Sequence, residues 1–129
     1  QSFINIGLIP DSGGTYTLPR LVGMQQAFGQ MILAPKVSAK EAEAKGMIWR
    51  CVPDADLMTD SNALALKLAQ MPTKAIALTK EALNRGSQND LDSQLDVENE
   101  LQSQAGRSYD YNEGVKAFLE KRKPVYKGE

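Results

Sequence analysis

Apolar positions recur at helical intervals along most of this chain, and glycines and prolines divide them into segments. Between Thr15 and about Leu33 the series runs Leu18, Leu21, Val22, Ala27, Phe28, Met31 and Ile32. Pro19 and Gly23 interrupt it, so the pattern predicts two helical pieces, with Thr15 able to cap the first. Ser38 and Glu41 have the spacing of a capping box, and Gly46 fits the stop of that short helix. Further helices are predicted from Asp56 to about Gln70, from a Thr73 cap to about Asn84, and from Asp90 through Leu91, Leu95 and Leu101. Asp110 and Glu113 predict another capping box, opening a last helix through Val115, Phe118 and Leu119 to Arg122. Residues 3–6 read as a short strand or extended segment, and 47–52 as a strand ended by Pro53. The predicted fold class is therefore mostly α with a few short strands.

The segment 56–70 is apolar on several sides, with Leu57, Met58, Leu64, Leu66 and Leu68. Such a helix is buried on several sides, either in the core or against another subunit.

Composition narrows the function. The chain has 129 residues, 42% of them apolar, which is enough for one domain's core and too apolar for a disordered segment. Its 15 basic and 16 acidic residues leave a net charge of −1, which argues against a nucleic-acid or membrane-surface binder. No apolar run approaches a membrane span. Cys51 is the single cysteine, so no internal disulfide forms, and its apolar neighbours predict a buried structural thiol. With no histidine, Ser-His-Asp triads, Cys-His dyads and the usual zinc sites are excluded within this chain, and no metal site is expected. Carboxylates, hydroxyls and backbone amides remain for chemistry.

Ile9-Pro10-Asp11-Ser12-Gly13-Gly14-Thr15 concentrates them. Pro10 fixes its own φ and the glycines permit unusual backbone angles, so Asp11 is held on a tight turn before a helix, near that helix's positive end. Taken alone, Pro-Asp-Ser-Gly is ordinary turn chemistry. The wider string shifts that balance.

Phe3-Ile4-Asn5-Ile6-Gly7-Leu8-Ile9-Pro10-Asp11-Ser12-Gly13-Gly14-Thr15, then Leu18-Pro19-Arg20-Leu21-Val22-Gly23, resembles the enoyl-CoA hydratase/isomerase (crotonase) family. Ser38-Ala39-Lys40-Glu41-Ala42, Gly46-Met47-Ile48 and Glu113-Gly114-Val115-Lys116-Ala117-Phe118-Leu119-Glu120-Lys121-Arg122-Lys123-Pro124 keep the family's order to the chain's end. The resemblance implies the C-terminal part of a crotonase-like α/β spiral domain. Residues 1–53 would hold the catalytic segment and short strands, and 54–129 a helical trimerisation region. It also implies a fragment of a longer enzyme, whose other half carries the oxyanion-hole amides. A trimer or a pair of trimers, and a cytoplasmic location, follow from the same likeness.

Hydratases of this family place a second glutamate four residues before the glycine of the Gly-x-Ile-Pro block; here that position is Phe3, which cannot move a proton. Asp11 stands where isomerase-type members carry their acid/base carboxylate. Phe3, Pro10-Asp11, Gly46-Met47-Ile48-Trp49 and Gly106-Arg107-Ser108-x-Asp110-Tyr111-x-Glu113-Gly114 resemble most the ring-1,2-epoxyphenylacetyl-CoA isomerases of phenylacetate breakdown. The implied reaction is a carboxylate-mediated proton shift on an acyl-CoA thioester, ring-1,2-epoxyphenylacetyl-CoA to oxepin-CoA or 3-enoyl-CoA to 2-enoyl-CoA as in fatty-acid breakdown. Coenzyme A enters as part of the substrate, and no separate cofactor is expected.

Asp11 is the implied base and acid, its pKa raised by an apolar surround of Phe3, Ile4, Ile6, Leu8 and Ile9. Phe3, Ile9, Pro10 and Tyr16 would line the acyl pocket, although Phe3 reads equally as a core aromatic. In the family the C-terminal helix lies near the acyl pocket and the nucleotide end of coenzyme A, often on a neighbouring subunit, which implies substrate contacts for Phe118 and Lys121; the alternative for Lys121-Arg122-Lys123 is a solvated helix end. The rival functions are an enoyl-CoA hydratase and an inactive helical oligomerisation fragment.

Overall fold

The computed structural model describes all of residues 1–129, which form two compact units, Gln1–Asp56 and Leu57–Glu129. In the first, Ser2–Ile6 winds into a short 3₁₀ helix, followed by α1 (Gly14–Val22), α2 (Met24–Leu33) and α3 (Ala39–Ala44). The strand expected at 3–6 is thus a 3₁₀ helix. Gly7, at φ +75°, closes it by donating to the Ile4 carbonyl at 3.1 Å, while Leu8 donates to Phe3 at 3.0 Å. The strand expected at 47–52 is a bend over 47–49 followed by irregular chain at 50–52. Both runs lack an extended partner in this chain, and a strand without a ladder leaves its backbone groups unpaired.

Gly13, at φ +78°, caps α1, so Thr15 lies inside the first turn and caps nothing. Pro19 sits within α1, and the break falls instead at Gly23, whose φ of 79° and ψ of 158° no helix can continue. The two predicted pieces therefore exist, divided at Gly23 and not at Pro19. α2 packs against α1 and the 3₁₀ helix, and Leu18, Ala27 and Gln30 are buried. The Gln30 Nε2 group finds no hydrogen-bond partner there.

α3 carries the predicted capping box. Ser38 N–H donates to Glu41 Oε2 at 2.9 Å and Glu41 N–H to Ser38 Oγ at 3.3 Å. The Ser38 amide and then its hydroxyl hold the Glu41 carboxyl below its ordinary pKa. Gly46, at φ +75°, ends α3 by donating to Glu43 at 3.0 Å, and Met47 reaches back to Ala42 at 2.8 Å. Cys51 is half-buried rather than buried.

The second unit holds α4 (Leu57–Ala69), α5 (Thr73–Gly86), α6 (Leu91–Gly106) and α7 (Tyr109–Leu119). α6 packs against both α5 and α7. Asp90 caps α6 as predicted, accepting from Ser93 N–H at 2.8 Å. Thr73 is the first helical residue of α5, whose cap is Pro72, so the expected threonine cap is absent. Across α5 and α6, Arg85 reaches Glu100 at 3.2 Å and Gln94 Nε2 donates to the Ala82 carbonyl at 3.2 Å. Val97, Leu101 and Ala117 are the buried apolar residues of this unit. No residue of α4 is buried, and Leu57, Met58 and Leu66 are 51%, 68% and 66% exposed. Within these 129 residues, therefore, no core forms around 56–70. No helix is long and apolar enough to cross a membrane.

Two glycines give opposite predictions. An added Cβ at Gly46 would sit 3.3 Å from the Leu21 carbonyl oxygen, at a left-handed φ of +75°. Gly46→Ala should therefore lose ~1–2 kcal/mol in urea unfolding. Gly29, inside α2, has nothing within 4 Å of an added Cβ, and Gly29→Ala should gain ~1 kcal/mol.

Candidate active site

Asp11 occupies the first position of a tight turn closed by Gly14 N–H donating to its carbonyl at 2.8 Å. The central residues, Ser12 and Gly13, both have positive φ, 52° and 78°. This is the backbone of a type I′ turn, whose first central position a serine fills at a steric cost. The Ser12 hydroxyl donates to Asp11 Oδ1 at 3.0 Å, leaving Oδ2 without an intramolecular donor. An added Cβ on Gly14 would meet Pro10 Cβ at 3.4 Å, an ordinary contact, so the turn does not require glycine there. Proline and glycine thus do what the sequence predicts, and a strained serine is the addition.

The expected apolar enclosure is not formed within this chain. Asp11 is exposed, as are Ile6 at 75%, Leu8 at 55% and Ile9 at 78%. These side chains leave the short 3₁₀ helix and the extended stretch after it with no further element of the unit over them. Phe3 is half-buried, and Pro10 likewise. Tyr16 stands in the first turns of α1 with the Arg20 guanidinium 3.4 Å over its ring, and Arg20 Nη1 also donates to the Tyr16 carbonyl at 2.9 Å. Phe3, Ile9, Pro10, Asp11 and Tyr16 therefore all belong to the first unit, around one turn and the helix it opens.

Phe118 and Lys121 belong to the second unit, at the end of α7. Phe118 is 82% exposed and borders an apolar groove of about 480 Å³ together with Pro72, Tyr111, Leu119 and Tyr126. Lys121 is exposed and has a φ of +54°.

The capping box expected from Asp110 and Glu113 is absent. Ser108 caps α7 instead, accepting from Tyr111 N–H at 3.0 Å. The two carboxylates bind the C-terminal tail. Asp110, 3% exposed, accepts from Lys127 N–H at 2.7 Å and Gly128 N–H at 2.9 Å. Glu113 accepts from Arg122 Nη1 at 2.6 Å and Nη2 at 2.9 Å, and from Val125 N–H at 2.9 Å. Sequence reasoning missed this clamp. Its visible signal was Ser108, a rival cap just ahead of two acids that share one helix face.

Against this geometry, the pattern of the enoyl-CoA hydratase/isomerase family matches residues 1–129, from end to end. The chain belongs to the enoyl-CoA hydratase/isomerase family. A protein named probable enoyl-CoA hydratase from Rhodobacter capsulatus is 48% identical over 128 residues, covering 99% of this chain and 50% of its own length. The 1,2-epoxyphenylacetyl-CoA isomerase of Escherichia coli K12 is 47% identical over 128 residues, covering 99% and 49%. The chain thus spans about half the length of the curated relatives it matches. Among solved structures, an enoyl-CoA hydratase from Geobacillus kaustophilus superposes with a TM-score of 0.94 at 35% identity, over 98% of this chain and 48% of that one. The crotonase fold of such enzymes is therefore the fold this family member shares, here in a mostly helical portion with no strands.

The clamp titrates in a defined window. The Arg122 guanidinium first, and then the Val125 amide, hold the Glu113 carboxyl at a pKa of about 2, below the ordinary 4.5. A lowered folded-state pKa gives stability that is complete above the unfolded value and lost as pH falls through the folded one. Protection of the Val125 amide from hydrogen exchange should therefore hold above pH 4.5 and fall away toward pH 2, and Glu113→Gln should abolish that pH dependence.

Proposed function

We propose that this chain carries the proton-transfer carboxylate of an acyl-CoA isomerase. The observation that bears most weight is the pairing of Phe3, where a hydratase of this family needs its second acid, with Asp11 on a strained turn. One carboxylate and no second acid suit moving a proton between two carbons better than activating water. For a 3-enoyl thioester, Asp11 removes a proton from the carbon between carbonyl and double bond and returns it at the far end of the resulting dienolate. For a ring epoxide, the same group assists opening to the seven-membered oxepin. Oxyanion-hole amides, which stabilise the enolate, would come from sequence beyond these residues.

In this reading the chain is the C-terminal portion of the enzyme. Phe3, Ile9, Pro10 and Tyr16 face the acyl group, and the Ser12 hydroxyl fixes which Asp11 oxygen stays free to move the proton. Phe118 and Lys121 meet the nucleotide end of coenzyme A, which arrives with the substrate. The helical region 54–129, with its uncovered α4, serves a homotrimer or a pair of trimers in the cytoplasm. The 47% identity to an epoxyphenylacetyl-CoA isomerase supports phenylacetate breakdown as the setting, and the 48% identity to a probable hydratase keeps hydration as the rival outcome.

The test uses an enzyme of the relatives' full length that carries this segment. Asp11→Asn should lower isomerisation of a 3-enoyl-CoA by about 10²–10⁴-fold while leaving acyl-CoA binding intact. Near-normal turnover in that variant would remove Asp11 from the mechanism.

A further inference from the structure

Three helical segments of this chain end in the same turn. After the 3₁₀ helix, after α3 and after α7, one N–H reaches back three residues and the next reaches back five. The pairs are Gly7 and Leu8, Gly46 and Met47, and Lys121 and Arg122, the last bonding Phe118 at 3.2 Å and Ala117 at 3.0 Å. The pivot residue has positive φ each time, +75°, +75° and +54°. Glycine is favoured there because it has no Cβ, and two of the three pivots obey. The third is a lysine. A strained non-glycine pivot persists only where its surroundings over-determine it.

Those surroundings are the tail. Arg122, the residue after the pivot, is gripped by Glu113 through both terminal nitrogens and by Glu120 at 2.6 Å. Glu113 also takes the Val125 amide, and Asp110 takes the amides of Lys127 and Gly128. Tyr126 lies 3.5 Å from where a Cβ on Gly114 would be, so that glycine admits the tail against α7. The Lys127 ammonium sits 4.2 Å from the centre of the Tyr109 ring. Arg122 is thus neutralised by acids of its own chain, while Lys121 and Lys123 on either side have no acidic partner; all three are exposed.

We propose that Asp110 and Glu113 are positioning residues that strap 122–129 onto α7, hold Lys121 at its strained pivot, and so present its ammonium, three residues beyond Phe118, to a phosphate of the CoA thioester. This rests on the assignment of Phe118 and Lys121 to the CoA end of the substrate. Fixing the pivot removes backbone conformers of the helix end that would otherwise be lost on binding. Glu113 acts through Lys121 and touches no substrate.

The experiment compares Lys121→Gly, Glu113→Gln and the double variant in a full-length enzyme, reading thermal stability, kcat and KM for the acyl-CoA. Lys121→Gly relieves the pivot, so stability should rise while KM rises about fivefold, the weight of one screened charge contact. Glu113→Gln keeps an acceptor for Val125 but breaks the Arg122 pair, and should raise KM by a similar factor with kcat unchanged. The double variant should bind no worse than Lys121→Gly alone. If Lys121→Gly leaves KM unchanged, the CoA assignment of this helix end fails and the proposal with it. If Lys121→Gly raises KM but Glu113→Gln does not, or if the two effects multiply, the assignment survives and the positioning role is refuted.

Discussion

A helix ends with carbonyls that its own hydrogen bonds cannot reach, and this chain meets that demand by reversing at residues of positive φ. The constraint is local, and the residues with chemistry lie beside its solutions. Gly7 closes the 3₁₀ helix and releases the extended stretch that leads into Pro10 and Asp11. Ser12 and Gly13 then reverse the backbone again and open α1, so Asp11 is caught between two fixed turns. At the far end of the chain, Lys121 is itself the pivot. The acid/base candidate and the cationic candidate are therefore placed by backbone geometry rather than by a surrounding core.

That core is small. The accessible surface is 9934 Å², whereas a folded monomer of the same mass exposes roughly 6,700 Å². Five apolar residues are buried: Leu18, Ala27, Val97, Leu101 and Ala117. Large apolar side chains such as Ile9, Leu33, Trp49, Phe118 and Leu119 remain more than 70% exposed. Helix caps, the α5–α6 contacts and the tail clamp consequently bear much of the order within each unit. The same sparse covering explains why Asp11 lacks the apolar surround that the family likeness implies. The chain's length, about half that of its curated relatives, fits this excess of uncovered surface.

The sequence disclosed features whose cause is short-range. The Ser38–Glu41 box, the Gly46 stop, the Asp90 cap and the division at Gly23 all depend on residues a few positions apart, and all are present. Strand assignments at 3–6 and 47–52 failed because pairing is not local, and an apolar run carries no sign of whether a partner exists. Asp110 and Glu113 have the right spacing for a box, yet Ser108 took the cap and the tail amides took the carboxylates. Choosing between those partners requires knowing that residues 125–128 fold back, which no periodicity encodes. For the site, the turn around Asp11 was legible in Pro10 and Gly13; the strain at Ser12 and the hydroxyl on Oδ1 were not, because serine is an unexpected occupant of that backbone conformation.

The claim that matters most is that this family member moves a proton and adds no water. Its most direct test offers a 3-enoyl-CoA to the full-length enzyme in heavy-oxygen water and weighs the product by mass spectrometry. The isomerase account predicts a product of unchanged mass with a shifted double bond. A product heavier by one heavy-oxygen water would contradict it and would require a hydratase whose second acid lies somewhere other than Phe3.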